Sequence, residues 1–265
     1  MTISSPLRSS AVERLADIDS ALEAAYGNPE CAFGNKADPL DKAIYIILSF
    51  QTDLARFSST WSRLRSAFPS WDVLERAAAY DVACILRDGR LHRQKARAIR
   101  RLLREVHKVT NEHSLDLLRA MNDEEAEKLL TRLPGLSRKA ARCVLLYSLR
   151  RDVLPIDSNT FRIVKRTGVL SRRAVYRRRT LHNAVQAAVL SRRRRALHVN
   201  LVVHGQRTCL PRTPGCACCP LNADCPKVSI PTSAHRHVLM PFAISVKHAP
   251  RSRGEMRGRR RVERR

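Results

Sequence analysis

The sequence has no long apolar run. Its best candidate, residues 43–50, falls far short of the roughly 20 apolar residues that a membrane helix needs, so no membrane partner is expected. Residues 1–8 lack an apolar signal region, which makes a cytoplasmic chain with reduced or metal-bound cysteines the expectation. No strand pattern survives either, since residues 153–156 are few and include Pro155; proline removes a ladder donor. Polar low-complexity tracts are absent before the C-terminus, and with 44% hydrophobic residues the chain is expected to fold. Acid is scarce: 24 Asp and Glu stand against 50 Lys and Arg, giving +26. Solubility alone does not require such a charge, and a polyanionic partner is its simplest physical reason. Lysine is scarce as well, at nine of those 50. Arginine, preferred wherever only charge is needed, can neither lose its proton nor form a Schiff base. A lysine in a special position is therefore a candidate for its amine.

What is there is organised around residues 133–157. Leu133-Pro134-Gly135-Leu136-Ser137-Arg138-Lys139-Ala140-Ala141 runs on through Cys143-Val144-Leu145-Leu146-Tyr147 and closes on Leu154-Pro155-Ile156-Asp157. Pro134-Gly135 marks a turn between two helical patterns, and Ser137 is a good N-cap for the second. A helix, tight hairpin and helix aim backbone N–H groups and a helix start at one spot, suited to a phosphate. Lys139 falls in the first turn, where an ammonium faces the positive end of the dipole at a cost of about 0.3–1 kcal/mol. That field favours the neutral, nucleophilic amine. By position alone a solvated surface lysine is the commoner outcome. Asp157, ahead of Ser158-Asn159-Thr160, suits a plain N-cap, or a carboxylate held near Lys139 to manage protons and stabilise a cationic transition state.

Leu-Pro-Gly-x-x-Arg-Lys-Ala, with an Asp eighteen residues after the Lys, resembles the helix-hairpin-helix DNA glycosylases of the endonuclease III type. The resemblance covers about residues 38–227. It implies that Lys139 is the nucleophile and Asp157 its catalytic partner, and that Gly135, Ser137 and Arg138 grip a DNA phosphate. It further implies base-excision repair of double-stranded DNA: an N-glycosylase that removes damaged bases, expected to be oxidised pyrimidines, and an AP lyase that cuts by β-elimination. A nucleoid-associated monomer is expected. Gln51 and Leu91 match the positions that enter the duplex in that family; a polar helix end and an inward-packed leucine are their plainer roles. Two other functions stay open, a monofunctional mismatch or uracil glycosylase and a non-catalytic DNA-binding iron–sulfur protein. The Lys139–Asp157 pair argues against the latter, since a docking module needs neither. The chain departs from the family at Ser137 (usually Gly), Ala140 (usually Thr), Ser158-Asn159 (commonly Thr-His) and Thr131 (often acidic). The last position lines the family's base pocket and leaves the substrate base open.

Cys209, Cys216, Cys219 and Cys225 form C-x6-C-x2-C-x5-C, with Cys218 as an extra. Four thiolates suit either tetrahedral zinc or an iron–sulfur cluster, and spacing does not choose between them. The resemblance implies the 4Fe–4S loop that follows His204-Gly205. Cys31, Cys84 and Cys143 are expected to be ordinary buried cysteines.

Helical periodicity predicts helices at 10–26, 38–50, 54–68, 71–80, 93–109, 114–120, 123–133, 160–170, 171–190 and 194–204. Residues 43–50 are apolar nearly all round, as in a central core helix. The expected fold is an all-α, two-lobed helical bundle with a helix-hairpin-helix and a C-terminal iron–sulfur loop. Residues 1–37 form an N-terminal helix packed with the second lobe, 38–151 the first lobe, 152–228 the second, and 229–265 a basic tail expected to be disordered. Arg172-Arg173, Arg177–Arg179 and Arg192–Arg195 are solvated faces or phosphate contacts.

Overall fold

The computed structural model describes residues 5–27, 35–171, 173–228 and 230. Among them there is no strand, only one antiparallel bridge between Leu7 and Leu170, and the fold is all-α. Cys31, Arg172 and all but one residue of the tail at 229–265 lie outside the described residues.

The first core gathers α2 (Pro39–Ser49), α3 (Leu54–Ala67), α4 (Trp71–Arg76), α5 (Ala79–Ile85), α6 (His92–Thr110), α7 (Asp123–Arg132) and α8 (Arg138–Tyr147). Helix α2 starts on Pro39, and the Asp38 carboxylate caps it by accepting from Asp41 N–H at 2.7 Å. Every residue of α2 from Leu40 to Leu48 except Asp41 is buried, as a central helix requires. The second core gathers α1 (Ala11–Tyr26), α9 (Ser158–Arg166), α10 (Arg179–Ala187) and, from the segment before α9, Leu154 and Ile156. Helix α11 (Arg194–Arg207) serves both, giving Leu197 and Leu201 to the second core and Val199 and Val203 to the first. The junction of the two cores thus runs along α11 and between α8 and α9.

Three predicted helices differ. The one at 71–80 splits at Ala77-Ala78, which are extended, with ψ of 151° and 142°. Arg100 Nε takes the Glu75 carbonyl at 3.2 Å, and the break turns Val82 and Ala83 into the core. The helix at 171–190 shrinks to α10. Ser171 N–H donates to Pro6 O at 2.8 Å beside the Leu7–Leu170 bridge, and the turn bonds from Ala174 N–H to Ser171 O and from Arg178 N–H to Val175 O, each at 3.1 Å, stand where a helix was expected. The segment at 114–120 is one 3-10 turn, Asp116–Arg119. Cys84 is exposed rather than buried, because α5 spends its inner face on Val82 and Ala83.

Candidate active site

The hairpin needs its glycine. Gly135 has φ +83°, a left-handed value that L side chains rarely adopt, and a Cβ there would meet Ile47 Cδ1 at 3.4 Å. Two residues on, the Ser137 hydroxyl accepts from Ala140 N–H at 3.4 Å and opens α8. Gly135 and Ser137 are exposed at the tip. Lys139, in the first turn of α8, is half-buried. Its helix lines a cleft through Lys139, Cys143 and Tyr147, one stripe at i, i+4 and i+8.

The far wall belongs to the second core. Asp157 caps α9, accepting from Thr160 N–H at 2.7 Å and from Asn159 Nδ2 at 3.1 Å. α11 and the start of α9 approach so closely that a Cβ at Gly205 would lie 2.6 Å from Asn159 Cβ; only glycine lets the wall close there. Lys139 and Asp157 line the same cleft of about 680 Å³, together with His198 of α11 and Lys42 of α2. Burial raises the Asp157 carboxyl, but His198 in the charged form it takes in acid, the Thr160 N–H and the Lys139 ammonium outweigh it and hold Asp157 below the usual carboxylate range. Burial also pushes His198 down to about 4, so its imidazole is neutral at physiological pH.

Gln51 and Leu91 stand apart from the cleft floor, both exposed and both with positive φ, 51° and 62°. Such values are uncommon for residues with a Cβ and mark loops held by their surroundings. Leu91, at 38% exposure, is not packed inward. Lys95 does the holding. It is 4% exposed, and its ammonium donates to Leu48 O and Thr52 Oγ1, each at 2.7 Å. Burial lowers Lys95 to about 8.

Arg138 does not reach outward from the hairpin. Its Nε donates to Glu127 Oε1 at 2.7 Å, and Arg142 donates to Glu127 Oε2 at 2.7 Å. Arg142, 2% exposed, also donates to Leu154 O at 3.3 Å, His182 O at 3.0 Å and Asn183 Oδ1 at 2.6 Å. It thereby bolts the hairpin helix to the second core. Burial pushes Glu127 up, but Arg142 and Arg138 outweigh it and leave it lowered. Of the run at 192–195, Arg193 pairs with Asp19 and Glu23 of α1, and Arg194 donates to Asp152 O at 2.6 Å. These two arginines hold the fold.

Cys209, Cys216, Cys219 and Cys225 ring a small apolar cavity beside α9 and α11, and none forms a disulfide. Arg166 Nη1 donates to Cys209 Sγ at 3.2 Å, and His204 Nε2 lies 3.7 Å from Cys219 Sγ. Burial pushes the Cys219 thiol up to about 11, and the other three sulfurs push the same way. Cys218 is exposed, its Sγ toward Gly215 O. Among the described residues, no three His, Cys, Asp or Glu side chains are grouped as round a single metal ion.

Sequence spacing did not reveal Lys42, Lys95, Arg142 or His198. The one available signal was their type: a charged or imidazole side chain on the buried face of its helix, which only long-range partners can satisfy.

No family model matches the chain. It is 29% identical over 154 residues to the endonuclease III of Sulfolobus acidocaldarius, covering 58% of this chain and 66% of that protein. It is 31% identical over 99 residues to the endonuclease III of Rickettsia prowazekii, covering 37% and 45%. The chain spans 44% of an Arabidopsis thaliana protein whose name assigns it provisionally to the DNA glycosylases, and 9% of the rice protein ROS1A. The structure of a non-covalent endonuclease III–DNA complex superposes with a TM-score of 0.69 at 18% identity, over 82% of this chain and 95% of that one. That of a thermostable thymine-DNA glycosylase gives 0.68 at 16% identity, over 82% and 98%. At such identities the structures speak for the fold, and the endonuclease III relatives carry the kinship. In sequence the chain is similar to endonuclease III, and its fold is that of the endonuclease III-like helix-hairpin-helix DNA glycosylases.

Proposed function

We propose that this chain is a DNA glycosylase with AP lyase activity, acting in base excision on double-stranded DNA that carries a damaged base, oxidised pyrimidines included. One observation carries the reading: Lys139 and Asp157, supplied by different cores, line one cleft and interact electrostatically. C1′ is unreachable in a stacked duplex, so the nucleotide must be flipped into the cleft. Gln51 and Leu91, on loops held by Lys95, would fill the space left behind. Gly135 and Ser137 would grip a backbone phosphate with the hairpin N–H groups.

Lys139 Nζ then attacks C1′. The C1′–N bond breaks, its electron pair leaves with the base, and the base anion takes a proton from water. Asp157 accepts the proton lost from Nζ and faces the positive charge that develops on the sugar. Ring opening gives an imine between Nζ and C1′. Loss of a C2′ proton expels the 3′ phosphate and cuts the strand, and water hydrolyses the imine to free Lys139.

Cys209, Cys216, Cys219 and Cys225 would hold a 4Fe–4S cluster. Four unpaired thiols around one cavity, with Arg166 donating to Cys209, suit a cluster carrying thiolate charge. Bound there, the cluster supplies a cross-link between the loop and α9 and α11, with no part in the cleft chemistry. With DNA as partner, we take the protein to act as a monomer at the nucleoid in the cytoplasm. Among the described residues no helix is long and apolar enough to cross a membrane.

The test is borohydride trapping on abasic duplex DNA. Wild type should freeze into a covalent protein–DNA adduct, because borohydride reduces an imine. Lys139→Gln should form none while still binding DNA, since one charge is small beside +26. Trapping by Lys139→Gln at the wild-type level would refute the nucleophile assignment, and excision without trapping would make the enzyme monofunctional.

A further inference from the structure

The floor of the cleft holds two polar groups that attack by Lys139 does not use. Helices α2 and α8 run antiparallel along it. Gly135, just before α8, lies against Ile47, whereas the Lys42 ammonium sits 4.4 Å from the centre of the Tyr147 ring at the far end. Lys42 thus stands about 12 Å of helix rise from Lys139, a separation that spans a nucleobase once both side chains reach inward. Lys42 is 3% exposed, and its ammonium carries three donors and no acceptor.

His198 sits beside it, 3% exposed, its ring centre 6.0 Å from that of Tyr147. The ring hydrogen-bonds the Pro155 carbonyl, while Nδ1 is buried without a partner. Nε2–H is therefore the donor, and Nδ1 of the neutral ring offers a bare lone pair. A buried acceptor left unpaired costs about 1–3 kcal/mol, and a ligand that donates to it recovers that cost.

We propose that the floor reads the imide edge of a flipped pyrimidine, with Lys42 donating to the C4 carbonyl oxygen and His198 Nδ1 accepting from N3–H. This rests on the glycosylase reading and narrows it to uracil- and thymine-derived bases. A cytosine-derived base is refused. It turns an amino donor toward the ammonium and an N3 lone pair toward Nδ1, so both contacts clash. The ammonium has a second effect: the negative charge of the departing base spreads onto O4, and Lys42 stabilises it there.

The experiment compares release of 5-hydroxyuracil and 5-hydroxycytosine, which differ only along this edge. Each is placed opposite a tetrahydrofuran gap, so that base pairing does not enter. Wild type should release the uracil form faster by on the order of a hundredfold or more, since a site built to hydrogen-bond one edge rejects its mismatch strongly. Lys42→Met should slow uracil release and bring the two rates within a few-fold. His198→Asn, which retains an acceptor, should keep more of the preference than His198→Phe. The wild-type ratio decides even if a variant fails to fold. Equal wild-type rates, a cytosine preference, or release of other lesions but neither of these would overturn the inference. Wild-type trapping on abasic DNA separates the two failures: if trapping persists, the glycosylase reading stands without this one.

Discussion

Lys95 Nζ donates to Thr52 Oγ1 at 2.7 Å, and one buried ammonium thereby joins the loop of Gln51 to the loop of Leu91. Through Leu48 O it also grips the end of α2, and its own backbone N–H bonds Leu91 O at 2.9 Å.

Burial of that charge makes stability depend on alkaline pH. Lys95 falls from an ordinary value of 10.5 to about 8. Below about 8 both the folded and unfolded chains carry the proton, and the cost of burying it is present in full. Between about 8 and 10.5 only the unfolded chain binds it, so raising the pH favours the folded state. The gain is up to about 3 kcal/mol. Urea unfolding across this window should show the rise in wild type and not in Lys95→Met. Parallel curves for the two proteins would remove Lys95 as its source.

Glu127 is the counter-ion of a nearly inaccessible guanidinium, and its loss should be expensive. Glu127→Ala leaves Arg142 charged and unmatched in the interior, a situation that costs about 3–5 kcal/mol. Because Glu127 is lowered in the folded protein, its contribution is present above the ordinary glutamate range. It is lost as pH falls through the folded value. Denaturant midpoints should therefore drop in Glu127→Ala near neutrality, and the gap to wild type should narrow in acid.

The hairpin, its lysine and its aspartate were legible because each is written locally: Pro134-Gly135 makes the turn, Ser137 and Asp157 cap the helices that follow, and apolar spacing places the helices. Lys42, Lys95, Arg142 and His198 were not legible, because what they do depends on partners far along the chain, such as Tyr147 for Lys42 and Leu154 for Arg142. Arg138 shows the same limit from the other side. A basic residue beside an exposed hairpin invites a phosphate, yet Glu127, on the preceding helix, pairs with its guanidinium. The helix expected at 171–190 was lost in the same way, to a pairing with Pro6 that no local pattern announces.

Iron and acid-labile sulfide should be present at about four each per chain if the four-cysteine loop holds a cubane cluster. Cys209→Ala should lower the iron content and destabilise the fold, since Cys209 is anchored by Arg166 in the second core. Cys218→Ala should leave iron unchanged, because that side chain is exposed and directed at Gly215 O. Stoichiometric zinc without iron or sulfide would sink the cluster assignment.

Asp157 does two jobs, and they can be separated by the choice of substitution. As an N-cap it accepts from Thr160 N–H at 2.7 Å, a role that asparagine fills about as well. As a carboxylate it balances positive charge in the cleft, which asparagine cannot do. Asp157→Asn should therefore fold with near wild-type stability, whereas Asp157→Ala should lose about 1 kcal/mol with the cap. On a damaged base, Asp157→Asn should slow excision by roughly 10²–10³-fold, the range for losing one electrostatic stabiliser. On a preformed abasic site no glycosidic bond remains to break, so strand cleavage should suffer less. The pH profile carries the sign. Because Asp157 is held below the usual carboxylate range, wild-type excision should persist into acid beyond an ordinary aspartate's midpoint. That acid limb should be missing from Asp157→Asn. Equal losses in excision and cleavage, with the acid limb retained, would leave Asp157 as a helix cap alone.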